Sequence, residues 1–259
     1  MALCKLCLRD TNLVESHIIP EFMYKPLYDK EHRFNIVGTN AIIKKRPTKG
    51  IYEKLFCKDC DNKIIGKYEN HASSVIFGDG KKEIKIVKTR RGIFVYGIDY
   101  KLFKLFKLFQ ISLLWRCAIS NRSEIGKIEL GFHQEIMRKM LLNENPYEYF
   151  RYGVLMCFFP QSSRKMFDLI ITPEEISKLI DGHKIYRAVF NGICWIFVMS
   201  EPTKIFENRK YFLSPEGKLS ILDSGTLGER FANQLISDLI GEKNIYDASS
   251  YQYPFFING

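Results

Sequence analysis

The chain has 259 residues, 46% of them hydrophobic and 26% charged, with a net charge of +10 and a pI near 9.1. That length and balance suit one or two globular domains with a real core, and no internal repeat or low-complexity segment is visible. The positive excess favours polyanionic partners, nucleic acid first and anionic membrane second, although a lysine-rich surface serving solubility has the same composition.

The N-terminus, Met-Ala-Leu-Cys-Lys, has no apolar segment behind a basic stretch. The richest apolar window, 102–118, is interrupted by Lys104, Lys107, Gln110 and Arg116, so no membrane span is expected. A cytoplasmic protein is the expectation. Seven cysteines is an odd count. Four fall in two CxxC pairs, and Cys117, Cys157 and Cys194 lie in apolar runs, which in a reducing compartment predicts a metal site plus buried thiols.

In chain order, Cys4-Lys-Leu-Cys7 reads as a knuckle and Leu13–Ile19 as a strand that Pro20 ends. A short helix fits 21–28. Residues 34–50 read as a basic loop. Tyr52–Phe56 leads into a second knuckle, Cys57-Lys-Asp-Cys60, and a helix is expected over Asp61–His71. Strands are expected at Val75–Phe77, Glu83–Val87 and Gly92–Ile98, joined by Gly-marked turns. Asp99–Ser120 reads as a long helix, apolar nearly all round and therefore belonging in a core. Its Lys101, Lys104 and Lys107 form a basic ridge, read as a solvated face or a phosphate contact. Glu129–Asn143 reads as a helix, and Tyr152–Phe159 and Phe167–Ile171 as strands. Thr172-Pro-Glu-Glu175 has the pattern of a helix start running to Ile180. Lys184–Phe190 and Ile193–Ser200 form a hairpin across Asn191-Gly192. Glu216-Gly217 is a turn, Gly225–Ile240 a final helix, and 246–259 an aromatic tail.

The expected fold class is α+β. Residues 1–75 form an N-terminal treble-clef zinc finger, and residues 76–259 a mixed α+β domain for substrate or partner recognition. Four thiolates in two CxxC pairs suit tetrahedral Zn²⁺, with Cys4, Cys7, Cys57 and Cys60 filling every position, so the zinc would be structural. Free thiols or a redox pair are the alternatives. No phosphate-binding Gly-rich loop or Ser-centred elbow occurs, so nucleotide-hydrolase, dinucleotide-binding and α/β-hydrolase readings lack a motif. His32, His133 and His183 have no partners at ligand spacing and read as surface or core-edge residues.

Cys4-x-x-Cys7, then His17-Ile-Ile-Pro20, then Leu55-x-Cys57-x-x-Cys60 resembles the zinc-containing branch of the HNH endonucleases, the ββα-metal or His-Me finger fold, over about residues 4–71. The resemblance implies that His17 ends the first strand and acts as the general base that activates water. It implies a catalytic divalent ion, Mg²⁺ or Mn²⁺, with Asp61 at the position of a metal ligand and Glu15, Asn62 and His71 as further candidates. The sequence departs from the pattern twice. Ser16 stands directly before His17 where an acidic residue or histidine is usual, and Tyr52 and Glu53 occupy the region of the middle Asn. A purely structural role for His17, bonded to the knuckle backbone, is the alternative.

The nuclease reading implies DNA as substrate, RNA as a second candidate, and an anti-phage defence setting by family analogy. Candidate phosphate contacts are Lys44, Lys45, Arg46, Lys49, Lys88, Arg90 and Arg91, with solvated loops as the bland alternative. The rival functions are a non-catalytic zinc-finger module that binds nucleic acid or a partner protein, and an accessory subunit docked on another protein. A homo-oligomer is compatible with each.

Overall fold

The computed structural model describes residues 1–38, 41–45, 49–77, 85–89, 92–96, 100–158, 169–176, 183–190, 192–199 and 207–222. The fold is α+β with a cysteine cluster at its N-terminus. The N-terminal part is built on a short pair, β1 (Ala2–Leu3) with β2 (Asp10–Thr11), and a longer one, β3 (Leu13–His17) with β6 (Tyr52–Cys57). In the second pair Leu13 faces Cys57 and His17 faces Tyr52, with a register shift between Val14 and Glu15. Pro20 ends the strand, lacking an N–H for any continuation. A one-turn helix α1 (Glu21–Tyr24) and a 3₁₀ turn (Lys25–Leu27) follow.

After Cys57 the chain makes a π-helical turn (Cys60–Ile65) that runs into α2 (Gly66–Phe77). The strand expected at Val75–Phe77 is instead the end of this helix. Val75 and Ile76 are β-branched, yet both are fully buried, and burial outweighs their weak helix propensity.

Among the described residues the large sheet has nine strands in the order β5-β4-β10-β11-β12-β9-β13-β8-β7. These are β4 (Asn35–Gly38), β5 (Ala41–Lys45), β7 (Lys85–Thr89), β8 (Gly92–Tyr96), β9 (Val154–Phe158), β10 (Leu169–Glu175), β11 (Lys184–Phe190), β12 (Ile193–Met199) and β13 (Leu219–Leu222). The pairings β4–β10 and β9–β13 are parallel and the others antiparallel. The expected basic loop at 34–50 therefore contains the β4–β5 hairpin, which forms one edge of this sheet. The β11–β12 hairpin matches expectation, with Gly192 at φ +69° in its turn.

Thr172-Pro-Glu-Glu175 belongs to strand β10, not to a helix start. Strand β11 pairs with Glu174 and Glu175, β4 pairs with Leu169, Ile170 and Ile171 just before them, and the β11 ladder shifts register between Ile171 and Glu174, where Pro173 has no hydrogen bond to give. Glu174 is tied instead to buried Arg187 on β11, at 2.7 Å. The expected helix at 225–240 and the tail at 246–259 lie outside the described residues, as do Arg46, Arg90 and Arg91.

Helix α3 (Tyr100–Ile119) is the central rod, and residues 105–117 are buried without exception. Among the described residues no helix is long and apolar enough to cross a membrane. Phe109 meets Trp195 of β12 edge-on, and Trp115 stacks on Phe56 of β6 at 5.9 Å, so the rod touches both the sheet and the N-terminal hairpin. Helix α4 (His133–Leu142) packs against it. This helix starts four residues later than its apolar pattern suggests, because Gly131 adopts φ +58°. Arg138 of α4 donates to the carbonyl of Leu6, at 2.6 Å, and Tyr68 of α2 donates to that of Leu141, at 2.7 Å. His133 and His183 are buried rather than at the surface.

Two lysines of the expected basic ridge on α3, Lys104 and Lys107, meet partners within the protein. Lys104 sits 3.8 Å from Glu144. Lys107 is 2% exposed and donates to the carbonyl of Glu148. Burial pushes the Lys107 ammonium down to about 7, with the Glu148 charge opposing and Arg151 adding to the depression. The unfolded chain then binds one more proton than the folded one between pH 7 and the ordinary lysine value, so this group's contribution to stability rises with pH across that window. Urea unfolding of wild type and Lys107→Met at pH 7.0 and 8.5 checks it. The wild type should gain stability relative to the variant by about 1 kcal/mol per pH unit.

Candidate functional site

Cys4, Cys7, Cys57 and Cys60 converge, with their four sulfurs within 4.8 Å of one another. The knuckle is shaped by its backbone: Leu8 takes φ +60°, its N–H donates to the Cys4 carbonyl at 2.9 Å, and the Cys4 N–H to the Arg9 carbonyl at 3.0 Å. Lys5 N–H donates to the Leu55 carbonyl, which seats the first knuckle against β6. The Cys7 and Cys57 sulfurs are 3.9 Å apart, close to the ~3.8 Å edge of a tetrahedron with Zn–S bonds of about 2.3 Å. The Cys57 N–H donates to the Cys4 sulfur at 3.3 Å, and Arg9 Nε to that of Cys7 at 3.4 Å. Burial resists ionisation of Cys7, but the Arg9 side chain and backbone outweigh it, and the thiol falls to about 6. Burial pushes the Cys60 and Cys4 thiols up. An all-thiol, inward-facing set with N–H donors on its sulfurs is arranged to hold a soft-to-borderline metal ion such as zinc.

His17 ends β3, 26% exposed at its side chain. Three contacts fix it. Its Nε2 lies 3.0 Å from the Glu21 carboxylate, its ring packs on Tyr52 at 4.0 Å, and its backbone carbonyl accepts from Arg116 at 3.0 Å. A carboxylate only accepts, so Nε2 carries a proton, and in the neutral ring Nδ1 is left with the lone pair. The same Arg116 guanidinium, 1% exposed, pairs with Glu69 of α2 at 2.5 Å, while its Nε donates to the Ser112 carbonyl. Glu53, next to Tyr52, accepts from Ser120 Oγ and from the backbone and side chain of Asn121. The C-terminal end of α3 thus grips both strands of the His17 hairpin.

Beside His17 lies an open cleft of about 510 Å³ lined by Glu15, Glu21, Tyr28, His32, Lys49 and Tyr52. Alternation along β3 turns Ser16 inward, where it is 1% exposed, and leaves Glu15 on the cleft side. Burial and the charge of Glu21 raise the Tyr28 hydroxyl to about 12, and the same two causes raise Tyr52. Gly50 lets the chain pass close by: a Cβ there would lie 2.7 Å from the ring of buried Tyr24 and 3.3 Å from His17. The Tyr24 hydroxyl in turn accepts the Ile51 N–H at 3.2 Å.

The residues named from the sequence are thus distributed in three places. The four cysteines form one cluster. Glu15 and Lys49 line the cleft beside His17. Asp61 and Asn62 sit on the π-helical turn, and His71 on α2 with its Nδ1 3.0 Å from the Lys67 carbonyl. Among the described residues the cysteine cluster is the only group of three or more His, Cys, Asp or Glu ligand atoms so close together. Lys44 and Lys45 are on β5 and Lys88 on β7. Glu21, Tyr28 and Arg116 are not among the site residues the sequence pattern points to, and His32, expected as a surface or core-edge residue, is exposed and lines the cleft. Glu21 carried a usable signal: it stands four residues after His17, just past a proline that starts a helical turn. No family model, no characterised protein and no solved structure matches the chain.

Metal analysis of the purified chain should find one zinc, or a comparable thiophilic ion, per molecule, lost in Cys57→Ser and kept in His17→Ala. Gly50→Ala should cost about 1–3 kcal/mol in urea unfolding, because the ring of Tyr24 has no room to retreat.

Proposed function

We propose that the protein is a metal-dependent HNH-like endonuclease that hydrolyses DNA phosphodiesters, with the cysteine cluster as a structural zinc site. The observation that carries this reading is the placement of His17. It stands at the end of the first of two paired strands that the two knuckles bracket, with Nε2 on the carboxylate of Glu21, which lines a cleft. The order knuckle, hairpin, knuckle, helix is that of the nuclease finger it resembles.

In this role Glu21 holds the imidazole in the tautomer that leaves Nδ1 free to take a proton from water. Tyr52 fixes the ring plane, and Arg116 fixes the backbone from which the ring projects. Magnesium is held through one or two carboxylates with water and phosphate completing its shell. Glu15 and Glu21, which line one cleft, meet that need, with Asp61, Asn62 and His71 on the neighbouring helical segment as further candidates. When bound, such an ion neutralises charge on the phosphate and its leaving oxygen. Lys49 on the rim offers a cation to a neighbouring phosphate.

A second reading, a non-catalytic zinc-stapled module that binds nucleic acid or a partner, is favoured by one observation. Carboxylates and imidazoles do not gather into a compact ligand cluster among the described residues.

Nicking of supercoiled plasmid with Mg²⁺ or Mn²⁺ separates the two. The nuclease reading expects cleavage that falls about a hundredfold or more in His17→Ala and about tenfold or more in Glu21→Gln. Absence of cleavage with either metal, in zinc-loaded protein, supports the binding module instead.

A further inference from the structure

Three of the six residues lining the cleft beside His17 are aromatic, and their arrangement bears on what enters it. Tyr28 and His32 are stacked nearly parallel, with ring centroids 3.8 Å apart and 14° between the planes. Phe34, buried, meets Tyr28 edge-on at 5.6 Å and anchors the stack from below. His32 is the outer ring and is exposed. Its backbone is left-handed, φ +59°, an uncommon state for a residue with a side chain.

A tight turn enforces that state. Asp29 Oδ1 accepts from the N–H groups of Glu31 and Arg33 at 2.9 Å each, the Asp29 N–H donates to the Arg33 carbonyl at 2.8 Å, and the His32 N–H donates to the Asp29 carbonyl at 2.9 Å. The loop is therefore held by Asp29 and backbone, while the imidazole, exposed and stacked on Tyr28, lines the cleft. Tyr52 supplies another ring on the opposite strand position to His17, and Lys49 a cation.

Flat ring faces at a cleft of about 510 Å³ suit a planar heterocycle on a phosphate backbone. Bases in a duplex are stacked on one another and offer only their edges, whereas an unpaired base offers its face. We propose that the cleft takes an unpaired nucleotide of single-stranded DNA, its base stacked on the His32–Tyr28 pair and its backbone passing Lys49 toward His17. The proposal rests on the nuclease reading for the chemistry at His17 and adds the form of the substrate: a single strand, flap or bubble rather than an intact duplex.

The test measures binding and cleavage separately, on full-length zinc-loaded protein. Binding, without added magnesium, uses a short single strand carrying one 2-aminopurine, whose fluorescence falls on stacking, and the matching duplex. The single strand should bind at least about tenfold more tightly than the duplex, with quenching. His32→Asn removes the ring but keeps a residue that tolerates the left-handed backbone, and should weaken single-strand binding about 10- to 100-fold. His32→Tyr should restore it. Equal or tighter binding of the duplex, or unchanged affinity and quenching in His32→Asn, would overturn the proposal. The cleavage arm adds Mg²⁺ to the same pair of substrates. Stacked binding without cutting removes the nuclease reading and leaves the cleft assignment standing. Cutting of the duplex alone removes the cleft assignment and leaves the nuclease reading standing.

Discussion

Convergence of four thiols from the two ends of a long loop is the constraint on which the N-terminal half depends. Cys4 and Cys7 lie some fifty residues from Cys57 and Cys60, and the segment between them has to leave β3, turn at Pro20, contribute a hairpin to the large sheet and return as β6. A metal ion at the cluster would close that loop and set the register of β3 on β6, which decides that His17 faces Tyr52. Burial makes ionising the Cys4 and Cys60 thiols unfavourable, so the cluster is poorly suited to remain a set of free thiolates. A bound cation removes that cost and couples metal affinity to folding.

The second anchor is helix α3. It is buried along most of its length, and its buried polar side chains Lys107, Gln110, Ser112 and Arg116 bond within the protein. Arg116 joins the carbonyl of His17 to Glu69 of α2, Ser120 and Asn121 hold Glu53 of β6, and Trp115 lies on Phe56. A buried guanidinium is costly unless its donors are satisfied, and here the partners come from three different segments. Removing Arg116 would therefore loosen the histidine, the helix after the second knuckle and the rod together. The cleft beside this histidine is open, and the exposed residues His32 and Lys49 are among those that line it.

What the sequence made legible was local chemistry. Two CxxC pairs announce a thiol cluster because each pair aims both sulfurs from one tight turn. The apolar run of 100–119 announces a buried helix because its polar residues are few. Asn-Gly between apolar runs announces a hairpin. The misreadings share one physical cause, tertiary context overriding a local pattern. Thr172-Pro-Glu-Glu175 has every mark of a helix N-terminus, yet β11 pairs with Glu174 and Glu175 and draws the segment into the sheet, with its proline at a register shift. Lys107 lies on a periodic lysine ridge, yet the carbonyl of Glu148 receives its ammonium in the core. Glu21 was hidden because its partner lies across a proline turn, in a helix too short to show periodicity. Arg116 was hidden because a cation near the end of a helix reads as a dipole partner or a surface charge.

The claim that joins these pieces is that the fold fixes one tautomer of one histidine. Long-range ¹H–¹⁵N correlation spectra of the metal-loaded protein, with His17 assigned by His17→Gln, observe that tautomer directly. In the neutral ring the proton should reside on Nε2 with Nδ1 unprotonated, and Glu21→Gln should disturb this balance. A proton on Nδ1, or a ring that averages between the two tautomers as a free imidazole does, would contradict it.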